Sequence, residues 1–178
     1  MSLLVRPSVD ADVRAITAIY AHAVIHGTAS FELEPPDQAE MARRRTALLA
    51  RGYPYLVAEV GNGVAGYAYA GPYRTRPAYR ATVEDSVYVA PARQSLGVGS
   101  ALLGALIQAC EAERFRQMIA VIGDSASVGS RKLHASHGFR PVGILEATGY
   151  KHGRWLDSVL MQRALGEGAA SPPTIPIR

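Results

Sequence analysis

The chain has 178 residues, enough for one domain with a core of its own and too few for two of ordinary size. Hydrophobic residues make up 48% and charged residues 19%, a globular composition that excludes a disordered chain. The formal charge is +4, and because only Lys132 and Lys151 are lysines, the other 17 basic residues are arginines. The longest basic run, Arg43-Arg44-Arg45, falls short of the blocks of about five or more like charges that mark a nucleic-acid tail. Arginine forks grip carboxylates and phosphates bidentately, so the excess is read as serving small anionic ligands. Cys110 is the one cysteine, which excludes an internal disulfide and suits a reducing compartment. No apolar run approaches the roughly 18 residues of a membrane span, and Met1 to Pro7 is too short and too soon interrupted for a signal peptide. A soluble cytoplasmic protein is expected, with neither membrane nor nucleic acid as a partner.

In chain order, Leu3 to Arg6 reads as a short strand, and Asp10 as the N-cap of a helix through Val13, Ile16, Ile19, Tyr20 and Val24 that ends near Gly27. Thr28 to Glu34 is a loop holding Phe31. Pro35-Pro36-Asp37 opens a second helix, which Gly52 closes. Tyr55 to Val60, the turn Gly61-Asn62-Gly63, and Val64 to Ala70 form a hairpin. Gly71 to Arg80 is a loop rich in arginine and tyrosine. Thr82 to Val89 alternates as a strand, with Val83, Asp85, Val87 and Val89 on one face and Glu84, Ser86 and Tyr88 on the other. A helix from about Gly97 to Arg114 carries Val98, Leu102, Leu106 and Cys110 as a buried stripe. Met118 to Ile122 is a strand, Ser127 to His137 a helix ended by Gly138, and Phe139 to Leu145 and Leu156 to Met161 the last strands. The pattern predicts one α/β domain over residues 1–165 with a mixed sheet, followed by a Pro-rich, poorly ordered tail over 166–178.

The most informative stretch is Glu84 to Ser100, where a strand runs into a turn with Gly97 and Gly99 and a long helix begins. Free backbone N–H groups at such a helix start make a site for phosphate oxygens; the plainer alternative is an ordinary glycine turn. No Gly-Lys-Ser/Thr follows, so it is not a P-loop, and Leu102 stands where a dinucleotide motif needs its third glycine. His22 and His26 are four residues apart on the first helix but enclose no catalytic glutamate, and no metal is expected. Cys110 reads as core, Arg43-Arg44-Arg45 as a solvated face, and Trp155 as packing the sheet or a subunit interface.

Gln94-Ser95-Leu96-Gly97-Val98-Gly99 resembles the Gln/Arg-x-x-Gly-x-Gly/Ala element with which GCN5-related N-acetyltransferases (GNAT) hold the pyrophosphate of acetyl-CoA. The expected element order is similar to that fold over about residues 3–163. Tyr53 to Glu59, Gly66 to Pro72, Thr82 to Val89, Val121 to Asp124 and Lys151 to Asp157 resemble its phosphinothricin and methionine sulfoximine acetyltransferase branch. The resemblance implies a mixed, mostly antiparallel sheet of six to seven strands flanked by about four helices. It implies that Val87, Tyr88 and Val89 pair with the pantetheine arm, and that Gln94, Ser95, Leu96, Gly97, Val98, Gly99 and Ser100 hold the pyrophosphate. Glu84 takes the position of the general base, its plainer alternative being an ion pair with an arginine. His134 stands where many relatives place the tyrosine that protonates the leaving thiolate, or else has a hydrogen-bonding role within its helix. Ser127 replaces a frequent asparagine that bonds a pantetheine amide. Acceptor recognition would fall to Phe31, Arg74, Thr75, Arg76, Glu84, Asp85 and Ser86, with Tyr73 and Tyr79 walling the pocket or packing the loop. The implied activity is transfer of acetyl from acetyl-CoA to the α-amine of a small amino-acid analogue, without a metal, by a homodimer. The rivals are acetylation of another amine (antibiotic, polyamine or protein N-terminus) and a non-catalytic acyl-CoA-binding module.

Overall fold

The computed structural model describes residues 2–61 and 63–175; Asn62, the expected apex of the hairpin turn, lies outside them, as do Met1 and Pro176 to Arg178 of the tail. The order is β1 (Leu3–Pro7), α1 (Val13–His26), α2 (Gln38–Ala50), β2 (Tyr55–Val60), β3 (Gly63–Pro72), β4 (Thr82–Val89), α3 (Val98–Ala112), β5 (Gln117–Gly123), α4 (Val128–Ser136), β6 (Arg140–Lys151) and β7 (Arg154–Ala164). The seven strands form one sheet in the order β1-β2-β3-β4-β5-β7-β6. Every pairing is antiparallel except β4 with β5. This is the expected mixed sheet with four helices.

Strand alternation divides the core in two. Tyr55, Val57 and Tyr67 face α1 and α2, where they meet Ile16, Tyr20, Val24 and Met41. Leu56, Ala58, Ala68 and Ala70 face the other way, onto Val98, Leu102, Leu106 and Cys110 of α3. Cys110 is fully buried there, and burial pushes its thiol well above the ordinary range. Tyr67 stacks between Tyr69 and Tyr88, and Tyr20 meets Tyr88 edge-on at 5.1 Å. A one-residue slip of β3 would turn this aromatic layer onto α3, so the pattern fixes the register.

Several expectations need correction. Asp10 is not the helix cap: residues 10–12 make a single 3₁₀ turn, and Asp12 instead accepts the Val9 N–H at 2.7 Å. Asp10 reaches Arg45 at 2.7 Å. Arg45 is therefore not part of a solvated face; it is buried and also bonds the side chain and carbonyl of Ser8. β6 runs six residues past Leu145 to Lys151, through a register shift between Leu145 and Gly149 and a left-handed Ala147. His152 (φ 52°) and Gly153 (φ 72°) close the β6–β7 hairpin, the two left-handed residues a type I′ turn demands. The tail is anchored as far as Ile175: Arg116 bonds Ser171 and the Pro172 carbonyl, and Arg80 donates to the Ile175 carbonyl. Trp155 is 63% exposed, so it does not pack the sheet.

Candidate active site

The parallel pairing of β4 with β5 covers only Thr82–Asp85 against Gln117–Ala120. Beyond it β5 stays with β7 to Gly123 while β4 stays with β3 to Val89, so the two strands part. Among the described residues no strand covers the β5-side edge of 86–89. Its outward N–H and C=O groups are left for a ligand with amides of its own.

On one side of the parting lies a cleft of about 710 Å³ lined by Val87, Tyr88, Val89, Gln94, Ser95 and the start of α3. Gly97 is the helix N-cap with φ 78°, a conformation that favours glycine, and it offers no side-chain cap. Ser95 is also left-handed, at φ 60°. The uncapped amides of the first turn of α3 therefore face the cleft, as an anion site requires. Leu96 is exposed, Val98 is buried beneath, and Gly99 packs on Val89 and Leu133. Ser100 Oγ lies 2.9 Å from His137 Nε2. The Ser127 hydroxyl donates to the Gly123 carbonyl at 2.8 Å, so its proton stays within the protein.

On the other side lies a smaller pocket of about 220 Å³, lined by Ala29, Tyr69, Glu84, Ser86, Ile122, Gly123, Ser127 and His134 among others. Tyr69, Glu84 and Ser86 come from neighbouring positions of β3 and β4. The Glu84 side chain is half-buried, and its carboxylate makes no hydrogen bond or ion pair among the described residues. Burial raises its pKa above the usual carboxylate value, the Asp85 charge adds to this, and Arg74 pulls the other way. A free carboxylate moved toward neutral pH is suited to take a proton.

Asp85 goes to the opposite face. It is 7% exposed, and its Oδ2 accepts from His134 Nε2 at 2.9 Å, while Oδ1 is buried without a partner. It too is among the residues lining the smaller pocket, where the oxygen that faces His134 is already engaged. His134, 4% exposed, donates its other ring proton from Nδ1 to the Ser130 carbonyl at 2.8 Å. A carboxylate and a carbonyl both accept, an arrangement that suits a ring protonated on both nitrogens. Burial alone would lower its pKa, but the Asp85 hydrogen bond and charge, with the Ser130 carbonyl, raise it.

The arginine loop is not drawn into the Glu84 pocket. Arg74, Thr75 and Arg76 line a separate cleft with Arg51, Tyr53, Tyr79 and Arg80. Arg74 lies over the Tyr73 ring at 4.5 Å, and Tyr73 meets Tyr79 edge-on. The Phe31 ring sits on Gly149, where a Cβ would come within 2.4 Å of it, and close to Gly123. His22 and His26 line the larger cleft with ring centroids 4.6 Å apart. Seven of the 17 arginines serve the fold: Arg6, Arg43, Arg44, Arg45, Arg116, Arg154 and Arg163 each pair with a carboxylate. Arg93 is the arginine that lines the larger cleft. Sequence reasoning missed the Asp85–His134 and Ser100–His137 contacts, which join residues 49 and 37 positions apart. The alternation that turns Asp85 away from Glu84 was the one available signal.

A strand parting beside a helix start with free amides gives a cleft suited to a ligand with amides and an anionic group, facing a second, polar pocket. Residues 6–160 match the family model described as an acetyltransferase (GNAT) domain, and the chain belongs to that family. It is 54% identical to the phosphinothricin N-acetyltransferase of Alcaligenes faecalis over 92% of this chain and 83% of that one. It is 42% identical to the L-methionine sulfoximine/L-methionine sulfone acetyltransferase of Salmonella typhimurium over 90% and 93%. The structure of a phosphinothricin acetyltransferase from Sinorhizobium meliloti in complex with AcCoA superposes with a TM-score of 0.95 at 49% identity, covering 99% of this chain and 96% of that one.

Proposed function

We propose that this chain, as an acetyl-CoA-dependent N-acetyltransferase, acetylates the α-amine of a small amino-acid analogue of the phosphinothricin, methionine sulfoximine or methionine sulfone type. The observation that carries the reading is Glu84, an unpartnered carboxylate with a raised pKa in the smaller pocket, which shares Val87, Tyr88 and His134 with the larger cleft. The donor supplies an activated thioester. The 86–89 edge would bind its amide arm, and the amides of Val98, Gly99 and Ser100 would bind its pyrophosphate with the turn from Gln94 to Gly97. An edge N–H aimed at the carbonyl would stabilise charge developing on oxygen. Glu84, directly or through water, removes a proton from the incoming ammonium so that the neutral amine attacks directly in a ternary complex. His134 supplies the proton for the departing sulfur by giving up its bond to Asp85 or to the Ser130 carbonyl. Arg74 leaves Tyr73 to meet the acceptor carboxylate, while Thr75, Arg76, Ser86 and Phe31 shape the approach.

No helix among the described residues is long and apolar enough to cross a membrane. We place the enzyme in the cytoplasm, in keeping with one buried, unpaired thiol. We further propose a homodimer. The edge strand β6 and its partner β7 expose Ile144, Leu145, Tyr150 and Trp155 at 50–63%, beside an apolar groove against α4. The acetyltransferase domain is taken as residues 1–165, with 166–178 as its tail.

The test is thiol release from acetyl-CoA with phosphinothricin, methionine sulfoximine and methionine sulfone against a polyamine, an aminoglycoside and a peptide N-terminus. The amino-acid analogues should be turned over with the highest kcat/KM. Preference for a polyamine or peptide would overturn the acceptor assignment, and absence of thiol release with every amine would overturn the activity.

A further inference from the structure

The sequence 151–155 enters no step above, yet its side chains converge on one segment. Residues 27–32, between α1 and α2, form neither helix nor strand, and they contribute Thr28 and Ala29 to the donor cleft and Ala29 to the acceptor pocket. Lys151, one of two lysines in the chain, is 4% exposed and donates from Nζ to the Ser30 carbonyl at 2.7 Å. His152 Nε2–H donates to the Gly27 carbonyl at 3.1 Å. Arg154 bonds Asp124, which also takes a hydrogen bond from the Thr28 side chain. The same segment is held from α1 by Tyr20, whose hydroxyl contacts Ser30 Oγ and Glu32 at 2.9 Å each.

A buried ammonium is costly unless its hydrogen bonds are met, and the partner found here is a neutral carbonyl. Among the described residues no carboxylate lies within ion-pair distance of it. The cost is offset if the contact fixes something that apolar packing cannot, and what it fixes is the path of the loop wall shared by both clefts. Lys151 itself lines neither cleft, so it acts through that wall.

We infer that the tip of the β6–β7 hairpin is a clamp on residues 27–32, and that Lys151 is the positioning residue that holds this segment in shape for acceptor binding. The acceptor half of the inference rests on the reading of Glu84 and its pocket given above. The donor cleft takes Gly27, Thr28 and Ala29 from the segment but is also walled by 87–89 and α3, whereas the acceptor side takes from it Ala29 and Phe31, the residue proposed to shape the acceptor's approach. Loss of the clamp therefore weakens acceptor binding selectively.

The test is Lys151→Met, which keeps length and removes the donor, with the exposed His152→Ala as a variant that cannot empty the core. Lys151→Met should raise the acceptor KM about 10-fold or more, with kcat and the acetyl-CoA KM within about twofold of the wild type. Amide hydrogen exchange over Thr28 to Glu32 should quicken by a similar factor, and His152→Ala should quicken it less. Should Lys151→Met not fold, His152→Ala decides through exchange alone. Unchanged exchange over this segment in a folded variant overturns the clamp. Equal rises in both KM values overturn the acceptor-selective role. Exchange needs no acceptor, so a wild type inert toward every amino-acid analogue would refute the proposed function without deciding the clamp.

Discussion

The substitution Asp85→Asn tests the buried imidazolium. It keeps nearly the same side-chain shape but removes the charge that holds the His134 proton. In the wild type, Nε2–H donates to Asp85 at 2.9 Å and Nδ1–H to Ser130 at 2.8 Å. Without the carboxylate, burial prevails and the ring becomes neutral, with Nε2 now accepting from the amide of the new side chain. The loss is therefore that of a hydrogen bond to a charged group, about 2 kcal/mol. It is smaller than the ~3–5 kcal/mol for stranding a buried charge, because the imidazole can discharge. For a chain of this length, about 2 kcal/mol corresponds to a fall in Tm of roughly 4–8 °C. The pH dependence carries the diagnostic sign. His134 has a folded pKa raised above its unfolded value of 6.5, so its contribution is fully present below pH 6.5 and is lost as pH rises through the folded value. The nearby His137 is pushed the other way by burial and by Arg163, and Cys110 is pushed far upward, so neither imitates this profile. Thermal unfolding of both proteins at about pH 5.5 and pH 9 should show a wide gap at the lower pH and a narrower one at the higher. A gap that is constant, or that widens with pH, would refute the imidazolium pair.

Two further substitutions test the chemistry. Glu84→Gln should lower kcat by about 10²–10⁴ while leaving acetyl-CoA binding intact, as measured by steady-state kinetics and by protection from thermal unfolding; a near-normal rate removes Glu84 as the base. Arg74→Ala should raise the KM for an amino-acid acceptor well above any change in the acetyl-CoA KM, and equal changes would discard the carboxylate contact.

Much of this architecture is legible in the sequence because its signals are local. The order of strands and helices follows from periodicity, and the turn from Gln94 to Gly99 announces itself by glycines whose need Gly97 shows at φ 78°. Placing Glu84 and Asp85 on opposite faces follows from strand alternation. What escapes lies in contacts between distant residues. Arg45 sits in a run of three arginines and reads as solvated, yet its partners Ser8 and Asp10 come from 37 and 35 positions away. Lys151 and Ser30 are 121 positions apart, with no local pattern joining them. The sequence pattern ends β6 early because Glu146-Ala147-Thr148-Gly149 lacks alternation; the structure carries the strand past it through a bulge. The arginine excess misleads in the same way, since charge composition cannot tell an arginine that pairs with a carboxylate from one that waits for a ligand.

The adjacency of Glu84 and Asp85 joins the two halves of the site electrically. Consecutive residues of a strand point to opposite faces but remain close enough for their charges to interact, and Asp85 helps to raise the pKa of Glu84. Arg74 acts on the same group with the opposite sign. In its proposed role Glu84 acts in its ionised form, so the acidic limb of kcat/KM should follow its pKa in the free enzyme. Removing the Asp85 charge should move that limb to lower pH, and removing the Arg74 charge should move it higher. Asp85 therefore bears on both readouts: the unfolding profile reports the His134 pair, the position of the acidic limb reports Glu84, and loss of the His134 proton lowers the height of the rate profile without moving that limb. Displacement of the limb in the same direction by both substitutions would show that the two charges do not act on Glu84 as their placement requires.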